Sequence, residues 1–185
     1  MSAPGSGLPA DGAPVDDTVE AVSVTLDELV RLAGLVGRRL TDLGTTVSTA
    51  ESCTGGLVGH LLTEISGSSA WYVGGAVVYS DALKRGLVDV PGPLIEARGA
   101  VSPEVAEAMA VGARVRFASD HSMAVTGIAG PTGGTATKPV GLVYVAVADA
   151  GGAVVERHHW GGDRSANKRE SAHAALRLLL DRLML

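Results

Sequence analysis

Residues 49–56 of this chain read Thr49-Ala50-Glu51-Ser52-Cys53-Thr54-Gly55-Gly56, and they connect a predicted strand to a predicted helix. The β-rich segment 45–48 precedes them, and the apolar helical run 57–62 follows. A strand that ends in small polar residues and leads into a helix presents side chains and backbone N–H groups at the carboxyl edge of a sheet, where open α/β folds bind ligands. The segment therefore predicts a ligand site, although capping of the following helix is a simpler use of Ser52 and Thr54.

The segments on either side alternate between strand and helix patterns. A capping box from Thr25 to Glu28 opens an amphipathic helix that Gly44 ends. Strand patterns follow at 70–79, 121–128, 140–148 and 153–160, and helix patterns begin at Ser80 or Asp81, at Ser102 and at Arg164, with a turn at 91–93. This order predicts an α/β fold, a three-layer α/β/α sandwich with a mixed central sheet.

The composition excludes several classes of protein. With 185 residues, 46% of them hydrophobic, the chain predicts one domain, residues 23–185, after a disordered tail at residues 1–22 that is rich in Gly, Pro, Ala and Asp. The formal net charge of −5 excludes a nucleic-acid surface, and no apolar run is long enough to span a membrane. A single cysteine, Cys53, excludes an internal disulfide and fits a soluble protein of the reducing cytoplasm.

Successive motifs along the chain resemble those of the CinA C-terminal domain family, and the resemblance covers roughly Leu26 to Leu183. The matching segments are Thr49 to Gly56, Ser66-Gly67-Ser68-Ser69-Ala70-Trp71, Val78-Tyr79-Ser80 with Lys84, Gly99-Ala100-Val101-Ser102, Thr126-Gly127-Ile128-Ala129-Gly130-Pro131 and Lys138-Pro139-Val140-Gly141. The resemblance implies a nicotinamide-nucleotide amidohydrolase of NAD salvage, which releases ammonia from nicotinamide mononucleotide without a cofactor. Longer members carry an additional amino-terminal domain, so the length of this chain predicts the stand-alone form.

The resemblance also implies the catalytic groups, with Ser52 as the nucleophile and Tyr79 and Lys84 as its partners. A serine hydroxyl is a weak nucleophile until a base removes its proton. Neutral Lys84 provides such a base, directly or through Tyr79, if burial lowers its pKa; a solvated helix lysine is the alternative. Donors for the tetrahedral oxyanion are expected at the start of the following helix, from the backbone N–H groups of Cys53, Thr54 and Gly55.

Two neighbours of Ser52 have more than one interpretation. Cys53 is a rival nucleophile, but a lone thiol often serves only in packing, and adjacent residues on a turn seldom point the same way. Glu51 is predicted to contact the substrate site, where its carboxylate would orient Lys84; the alternative is that it caps a strand. The sequence does not separate these roles.

The phosphate and ribose of the implied substrate need a polar wall. The loop Gly127–Thr137 is rich in glycines and hydroxyls, whose backbone N–H groups suit a small polar ligand. Gly127 and Gly130 of this loop are predicted to contact the substrate, and so is Thr126, which ends the strand before the loop and, by the resemblance, matches a site position of the family. Thr132 stands where the family usually has glycine. Arg164 opens the last helix, where an arginine binds phosphate or forms a surface salt bridge.

The five histidines show no spacing typical of a metal site, and no metal is predicted. Two functions of other kinds compete with the amidohydrolase: a catalytically silent nucleotide-binding or regulatory module, and an amidase for another small amide. The predicted partner is a small-molecule nucleotide, with no nucleic acid and no membrane. Glycines in 71–78 and apolar residues near Val88 and Val90 are compatible with self-association, which makes a homo-oligomer one expectation.

Overall fold

The computed structural model describes residues 24–185, so the predicted tail lies outside the described residues. The strands of this part are β1 (Val47–Glu51), β2 (Tyr72–Val77), β3 (His121–Gly127), β4 (Leu142–Asp149) and β5 (Gly152–His159). The helices are α1 (Leu26–Leu43), α2 (Leu57–Thr63), α3 (Asp81–Val88), α4 (Gly92–Arg98), α5 (Pro103–Arg116) and α6 (Arg164–Leu183). None of these helices is both long and apolar enough to cross a membrane.

The strands form one mixed sheet in the order β2-β1-β3-β4-β5. β1 pairs in parallel with β2 on one side and with β3 on the other, whereas β3, β4 and β5 pair antiparallel. The carboxyl ends of β1, β2 and β3 therefore meet at one edge of the sheet. Because the chain continues from β1 to β2 on one side and returns as β3 on the other, this edge is a topological switch point, the usual ligand position in open α/β sheets.

Helices cover both faces of the sheet, which confirms the predicted three-layer α/β/α sandwich. α1, α2 and α6 pack together on one face, over a core that includes Leu29, Leu61, Met123 and Leu176. α3, α4 and α5 cover the other face through a second core, to which Val88 and Val90 belong. Since both valines are buried in this core, they are not available for the self-association considered above, which stays a prediction.

Side-chain caps set the helix starts that the sequence indicated. The capping box of Thr25 and Glu28 opens α1, and Ser80, Ser102 and Asp163 each accept a hydrogen bond from the first turn of α3, α5 and α6. The turn predicted at 91–93 is wrong, because α4 begins at Gly92 and buries Ile95. Proline is tolerated in the first helical turn, where its missing N–H has no intrahelical partner.

The glycines of β2 allow a close approach to β1. The register between the two strands shifts at Val47, so a residue of β2 is bulged there. A Cβ atom on Gly75 would lie 1.9 Å from Thr49 Oγ1, so only glycine fits this position. A bulge and a close backbone contact are thus both present in β2, which ends at Val77 rather than at position 79 as predicted.

Candidate active site

Ser52 lies immediately after β1, at the carboxyl edge of the sheet. Its N–H donates to the Val125 carbonyl at 2.9 Å, and its own carbonyl accepts from the Gly55 N–H at 3.1 Å. Gly55 has a φ of +64° and Gly56 one of +95°, so glycines make the tight turn that leads into α2. The turn fixes the Ser52 backbone and leaves this residue, which is 8% exposed, on the wall of a cavity.

Glu51 caps α2 from beneath this turn. Its carboxylate accepts hydrogen bonds from the N–H groups of Gly56 (3.0 Å), Val58 (3.1 Å) and Gly59 (2.8 Å). Helix starts leave such N–H groups without intrahelical partners, and a carboxylate there also complements the helix dipole. Glu51 is not among the residues that line the cavity, so the structure gives it a structural role instead of the predicted substrate contact. Ser52 and Thr54 are not the caps, because the N-cap residue, Gly56, has no side chain.

Lys84 is buried beside Ser52, with 1% of the residue exposed. Its Nζ donates to Ser52 Oγ at 3.3 Å and to the main-chain carbonyl of Tyr79 at 3.3 Å. Asp81 Oδ1, one helical turn earlier, lies 3.7 Å from the same nitrogen. The alternative of a solvated helix lysine is therefore wrong, and the predicted pairing of Ser52 and Lys84 is present in the structure.

Burial lowers the pKa of the Lys84 ammonium below its ordinary value. The Asp81 carboxylate acts against burial and raises that pKa, and the Cys53 and Tyr79 groups act in the same direction as Asp81. Desolvation is the largest of these effects. A lysine with a lowered pKa next to a hydroxyl is suited to remove its proton, and such shifts are typical of functional sites.

Tyr79 contributes its backbone, rather than its phenol, to the Lys84 contact. The residue follows β2 and is 59% exposed, and its hydroxyl accepts a long hydrogen bond of 3.4 Å from Arg164 Nη2. Arg164 also donates from Nη1 to the Gly130 carbonyl at 2.9 Å. The structure thus brings Lys84 to Ser52 directly, and it places the Tyr79 phenol with Arg164 at the cavity wall.

Cys53 also lines the cavity, but its thiol is a poor nucleophile there. Burial, with a smaller effect of the nearby Glu51 carboxylate, raises the pKa of the Cys53 thiol to about 12. Since the thiolate is the reactive form, a thiol with this pKa stays protonated near neutral pH. The buried, unpaired thiol packs in the same core as Val58 and Leu61.

The three N–H groups predicted as oxyanion donors differ in their hydrogen bonds and in whether their residues line the cavity. The Gly55 N–H is occupied by the Ser52 carbonyl, so the expectation for Gly55 is wrong. Within residues 24–185 no backbone carbonyl accepts a hydrogen bond from the N–H groups of Cys53 or Thr54. Cys53 lines the cavity, whereas Thr54 is fully buried and does not. Of the three, the Cys53 N–H is the one that belongs to a cavity-lining residue and has no backbone acceptor, so Cys53 stays the predicted oxyanion donor.

The cavity has a volume of about 270 Å³ and is lined by residues from five segments of the chain. Thr126, Gly127 and Gly130 line the cavity, and Thr126 Oγ1 donates to the Ala100 carbonyl at 2.8 Å; their contact with the substrate stays a prediction. A Cβ atom on Gly127 would lie 2.6 Å from Val143 Cγ2, which explains the glycine there. Gly130, with a φ of +86°, turns the loop toward Arg164.

Several residues of the site were missed by the sequence interpretation. Asp81, Ala100 and Val101 line the cavity without having been predicted there, whereas Ile128, Ala129, Thr132 and Gly133 belong to the loop Gly127–Thr137 that was predicted to suit the ligand. A buried amide, Asn167, ties the loop to α6: its Nδ2 donates to the Ala129 carbonyl at 3.0 Å, and its Oδ1 accepts from the Gly162 N–H at 3.1 Å. The spacing of Asp81 and Lys84, three apart on a helix, was the one available signal. No sequence signal marked Asn167.

Residues 24–185 contain no group of three or more His, Cys, Asp or Glu side chains arranged to hold a metal ion. The polar residues that line the cavity include Ser52, Lys84, Asp81 and Arg164, which carry a hydroxyl, an amino group, a carboxylate and a guanidinium. Hydroxyl and amino groups of this kind act in nucleophilic attack and proton transfer in other enzymes.

Comparison with known proteins assigns this arrangement to a family. The model of the CinA C-terminal domain matches residues 29–183. This chain belongs to the CinA C-terminal domain family. It is 48% identical over 156 residues to a CinA-like protein of Trichormus variabilis, covering 83% of this chain and 38% of that protein. A CinA-like protein of Geotalea uraniireducens is 50% identical over 143 residues, or 77% of this chain and 34% of that protein.

This chain thus spans a little over a third of the length of these curated CinA-like relatives. Solved structures of the family include shorter chains. The competence/damage inducible protein CihA of Agrobacterium tumefaciens superposes with a TM-score of 0.82 at 41% identity, covering 85% of this chain and 96% of that one. A CinA superfamily protein of Klebsiella pneumoniae gives 0.82 at 31% identity, with 84% and 98% covered.

Proposed function

We propose that this protein hydrolyses the carboxamide of nicotinamide mononucleotide to nicotinate mononucleotide and ammonia, with Ser52 as the nucleophile and Lys84 as the base. The contact that carries the proposal is the 3.3 Å distance between Lys84 Nζ and Ser52 Oγ inside a cavity. Membership of the CinA C-terminal domain family supports the reaction class. A reducing cytoplasm fits the unpaired thiol of Cys53, and we assign the reaction of NAD salvage to that compartment.

The first step forms the ester. The neutral amine of Lys84 removes the proton of Ser52 Oγ as that oxygen bonds to the carboxamide carbon. The carboxamide oxygen becomes an oxyanion, for which the Cys53 N–H is the donor nearest the nucleophile in sequence and on the cavity wall. Because burial lowers the pKa of Lys84, a useful fraction of the amine is neutral at a pH closer to neutrality than for a solvated lysine.

The second step breaks the carbon–nitrogen bond. The Lys84 ammonium returns its proton to the departing nitrogen, which leaves as ammonia, and the acyl group stays on Ser52 as an ester. A water molecule then attacks the ester carbon while Lys84 accepts the proton of that water and returns it to Ser52 Oγ. The acid is released, and the enzyme returns to its initial protonation state. No step requires a metal or an organic cofactor.

The remainder of the cavity suits a small ligand with an anionic group. A volume of about 270 Å³ lies at the lower end of ligand pockets, as expected for a mononucleotide that is partly exposed. Arg164 lies at the cavity wall, where its guanidinium donates to the Gly130 carbonyl and retains further N–H donors for a phosphate. Arg164 is the side chain that we assign to phosphate recognition.

The test is ammonia release from nicotinamide mononucleotide without added metal, by the unmodified protein and by Ser52→Ala and Cys53→Ala. We expect Ser52→Ala to lower kcat by about 10³-fold or more and Cys53→Ala to keep kcat within about fivefold. A further arm compares the nucleotide with the riboside that lacks the phosphate. Arg164→Ala should raise KM for the nucleotide about tenfold and change KM for the riboside little.

The outcomes separate the proposal from its two alternatives. Binding of the nucleotide by the unmodified protein without ammonia release would overturn the enzyme assignment and leave a silent nucleotide-binding module. Ammonia release that is equally fast from the riboside, with no effect of Arg164→Ala, would indicate an amidase for another small amide. Loss of activity in Cys53→Ala with retention of activity in Ser52→Ala would show that Cys53, and not Ser52, is the nucleophile.

A further inference from the structure

The amino group of Lys84 is surrounded by three oxygen atoms. These are Ser52 Oγ at 3.3 Å, the Tyr79 carbonyl oxygen at 3.3 Å and Asp81 Oδ1 at 3.7 Å. An ammonium group has three N–H donors, which matches three acceptors, but a neutral amine has two donors and one lone pair. For the amine to act as a base on Ser52, its two remaining N–H bonds must point to the other two oxygens.

We propose that Asp81 is a positioning residue for Lys84: its carboxylate and the Tyr79 carbonyl take the two N–H bonds of the amine, so that the lone pair faces the hydroxyl of Ser52. The proposal deepens the proposed function and rests on the roles given there to Ser52 and Lys84. Asp81 is in the first turn of α3, directly after the Ser80 cap, and it also lines the cavity. Nothing else in the proposed mechanism uses this carboxylate.

Asp81 has an electrostatic effect as well as a geometric one. Its charge favours the ammonium form of Lys84 and therefore opposes burial, which favours the amine. The Cys53 and Tyr79 side chains also raise the pKa of Lys84. Arg164 of α6 lines the same cavity. Helix α5 packs against α3, but its buried residues are apolar. Asp81 is thus the carboxylate that raises the pKa of Lys84 against the effect of burial.

Two substitutions separate the geometric and the electrostatic effect. Asp81→Asn keeps an oxygen that accepts an N–H bond but removes the charge, so Lys84 loses its proton at lower pH. Asp81→Ala removes both, so the amine also loses its orientation. Asp27→Asn is the matched control, because Asp27 is likewise an acid in the first turn of a helix, α1, and lies outside the cavity.

The readout is the rate at which a small fluorophosphonate modifies Ser52, followed by intact mass against pH. In this reaction Ser52 Oγ bonds to phosphorus, fluoride leaves and Lys84 takes the proton, so no amide substrate is needed. We expect the rate of Asp81→Asn to keep the plateau of the unmodified protein and to rise about 3- to 10-fold on the acid side of the profile. Asp81→Ala should show the same acid-side displacement with a plateau lowered about 10-fold or more.

An identical profile and plateau for Asp81→Asn, Asp81→Ala and the unmodified protein would overturn the proposal. Equal losses of the plateau rate in Asp81→Asn and Asp81→Ala would also overturn it, because the proposal requires the plateau to be kept in Asp81→Asn. NMR titration of the lysine side chains provides a second readout, since the chain has only three lysines, Lys84, Lys138 and Lys168. The Lys84 signal should titrate at lower pH in Asp81→Asn and be unchanged in Asp27→Asn.

These readouts keep the two proposals distinguishable. If the unmodified protein modifies Ser52 with the expected profiles but releases no ammonia from nicotinamide mononucleotide, the substrate is wrong and the role of Asp81 stands. If ammonia is released but the Asp81 variants have the profile of the unmodified protein, the amidohydrolase stands and the role of Asp81 is overturned.

Discussion

At the scale of single residues, Lys84 is a charged side chain whose burial lowers the stability of the fold. It is 1% exposed, and burial of an ammonium group is unfavourable unless its partners compensate for the lost hydration. Its partners are one carboxylate, one hydroxyl and one carbonyl, of which Asp81 is half exposed and contributes less than a buried ion would. We infer that a lysine at position 84 serves reactivity and lowers the free energy of unfolding.

This inference predicts that Lys84→Met stabilises the protein near neutral pH. Methionine fills a similar volume without the charge, so we expect the free energy of unfolding at pH 7 to rise by about 1 to 2 kcal/mol, while ammonia release is lost. Urea unfolding followed by circular dichroism measures the effect. Lys168→Met, on the partly exposed face of α6, is the control and should stay within about 0.5 kcal/mol.

The pH dependence of this difference has a definite sign. The pKa of Lys84 is lowered in the folded protein, so between that value and the ordinary 10.5 the unfolded chain binds more protons. The unmodified protein therefore gains stability as pH rises through this window, and Lys84→Met lacks that gain. The advantage of the variant should shrink as pH approaches 10. A constant difference across the range, or a less stable variant at pH 7, would contradict the cost assigned to Lys84.

At the scale of secondary structure, the turn after β1 depends on the helix that follows it. Three N–H groups at the start of α2 are bound by the carboxylate of Glu51, which belongs to the preceding strand. One side chain thus joins the end of β1 to the start of α2 and closes the turn that carries Ser52. The helix start is held by a buried residue five positions before the N-cap, an arrangement that local capping rules do not include.

Glu51→Gln tests this structural role. Glutamine keeps one acceptor oxygen but places an NH₂ group against N–H donors, so we expect the free energy of unfolding to fall by about 2 kcal/mol. KM for the nucleotide should stay within about twofold, because Glu51 is not among the residues lining the cavity. Glu64→Gln, an exposed glutamate just after α2, is the control and should be near neutral. A large rise in KM with unchanged stability would restore the substrate contact that the sequence suggested.

Local sequence signals predicted some elements of the fold and missed others. The bounds of α1 and α6 followed from their caps and apolar stripes, because these signals are local. The start of α4 was mistaken for a turn, because Pro91, Gly92 and Pro93 are turn residues and the burial of Ile95 that stabilises the helix is tertiary. The pairing of Ser52 with Lys84 came from the family resemblance. Asp81 was missed because its effect depends on the burial of Lys84.

At the scale of the whole molecule, the site is a product of topology. Ser52, Tyr79 and Thr126 are far apart in the sequence, but each lies at the carboxyl end of one of three adjacent parallel strands. The start of α6 then brings Arg164 to the same edge, and Asn167 fixes the glycine loop to that helix. Among the described residues that line the cavity are Ser52, Lys84 and Arg164, the three side chains to which the proposed reaction assigns a role.

This leads to a prediction about residues 1–22. A variant that begins at Ser23 should release ammonia at the rate of the full chain and unfold at the same temperature. It retains Val24, whose N–H donates to Glu170 and whose carbonyl accepts from Arg169, so the entry to α1 stays attached to α6. A second variant that begins at Leu29 loses these bonds and the Thr25 capping box, and it should lose about 1 to 3 kcal/mol of unfolding free energy. Scanning calorimetry and the ammonia assay distinguish the two. If the variant beginning at Ser23 lost activity or stability as the one beginning at Leu29 does, the first 22 residues would contribute to the enzyme, and the domain would not begin where the sequence places it.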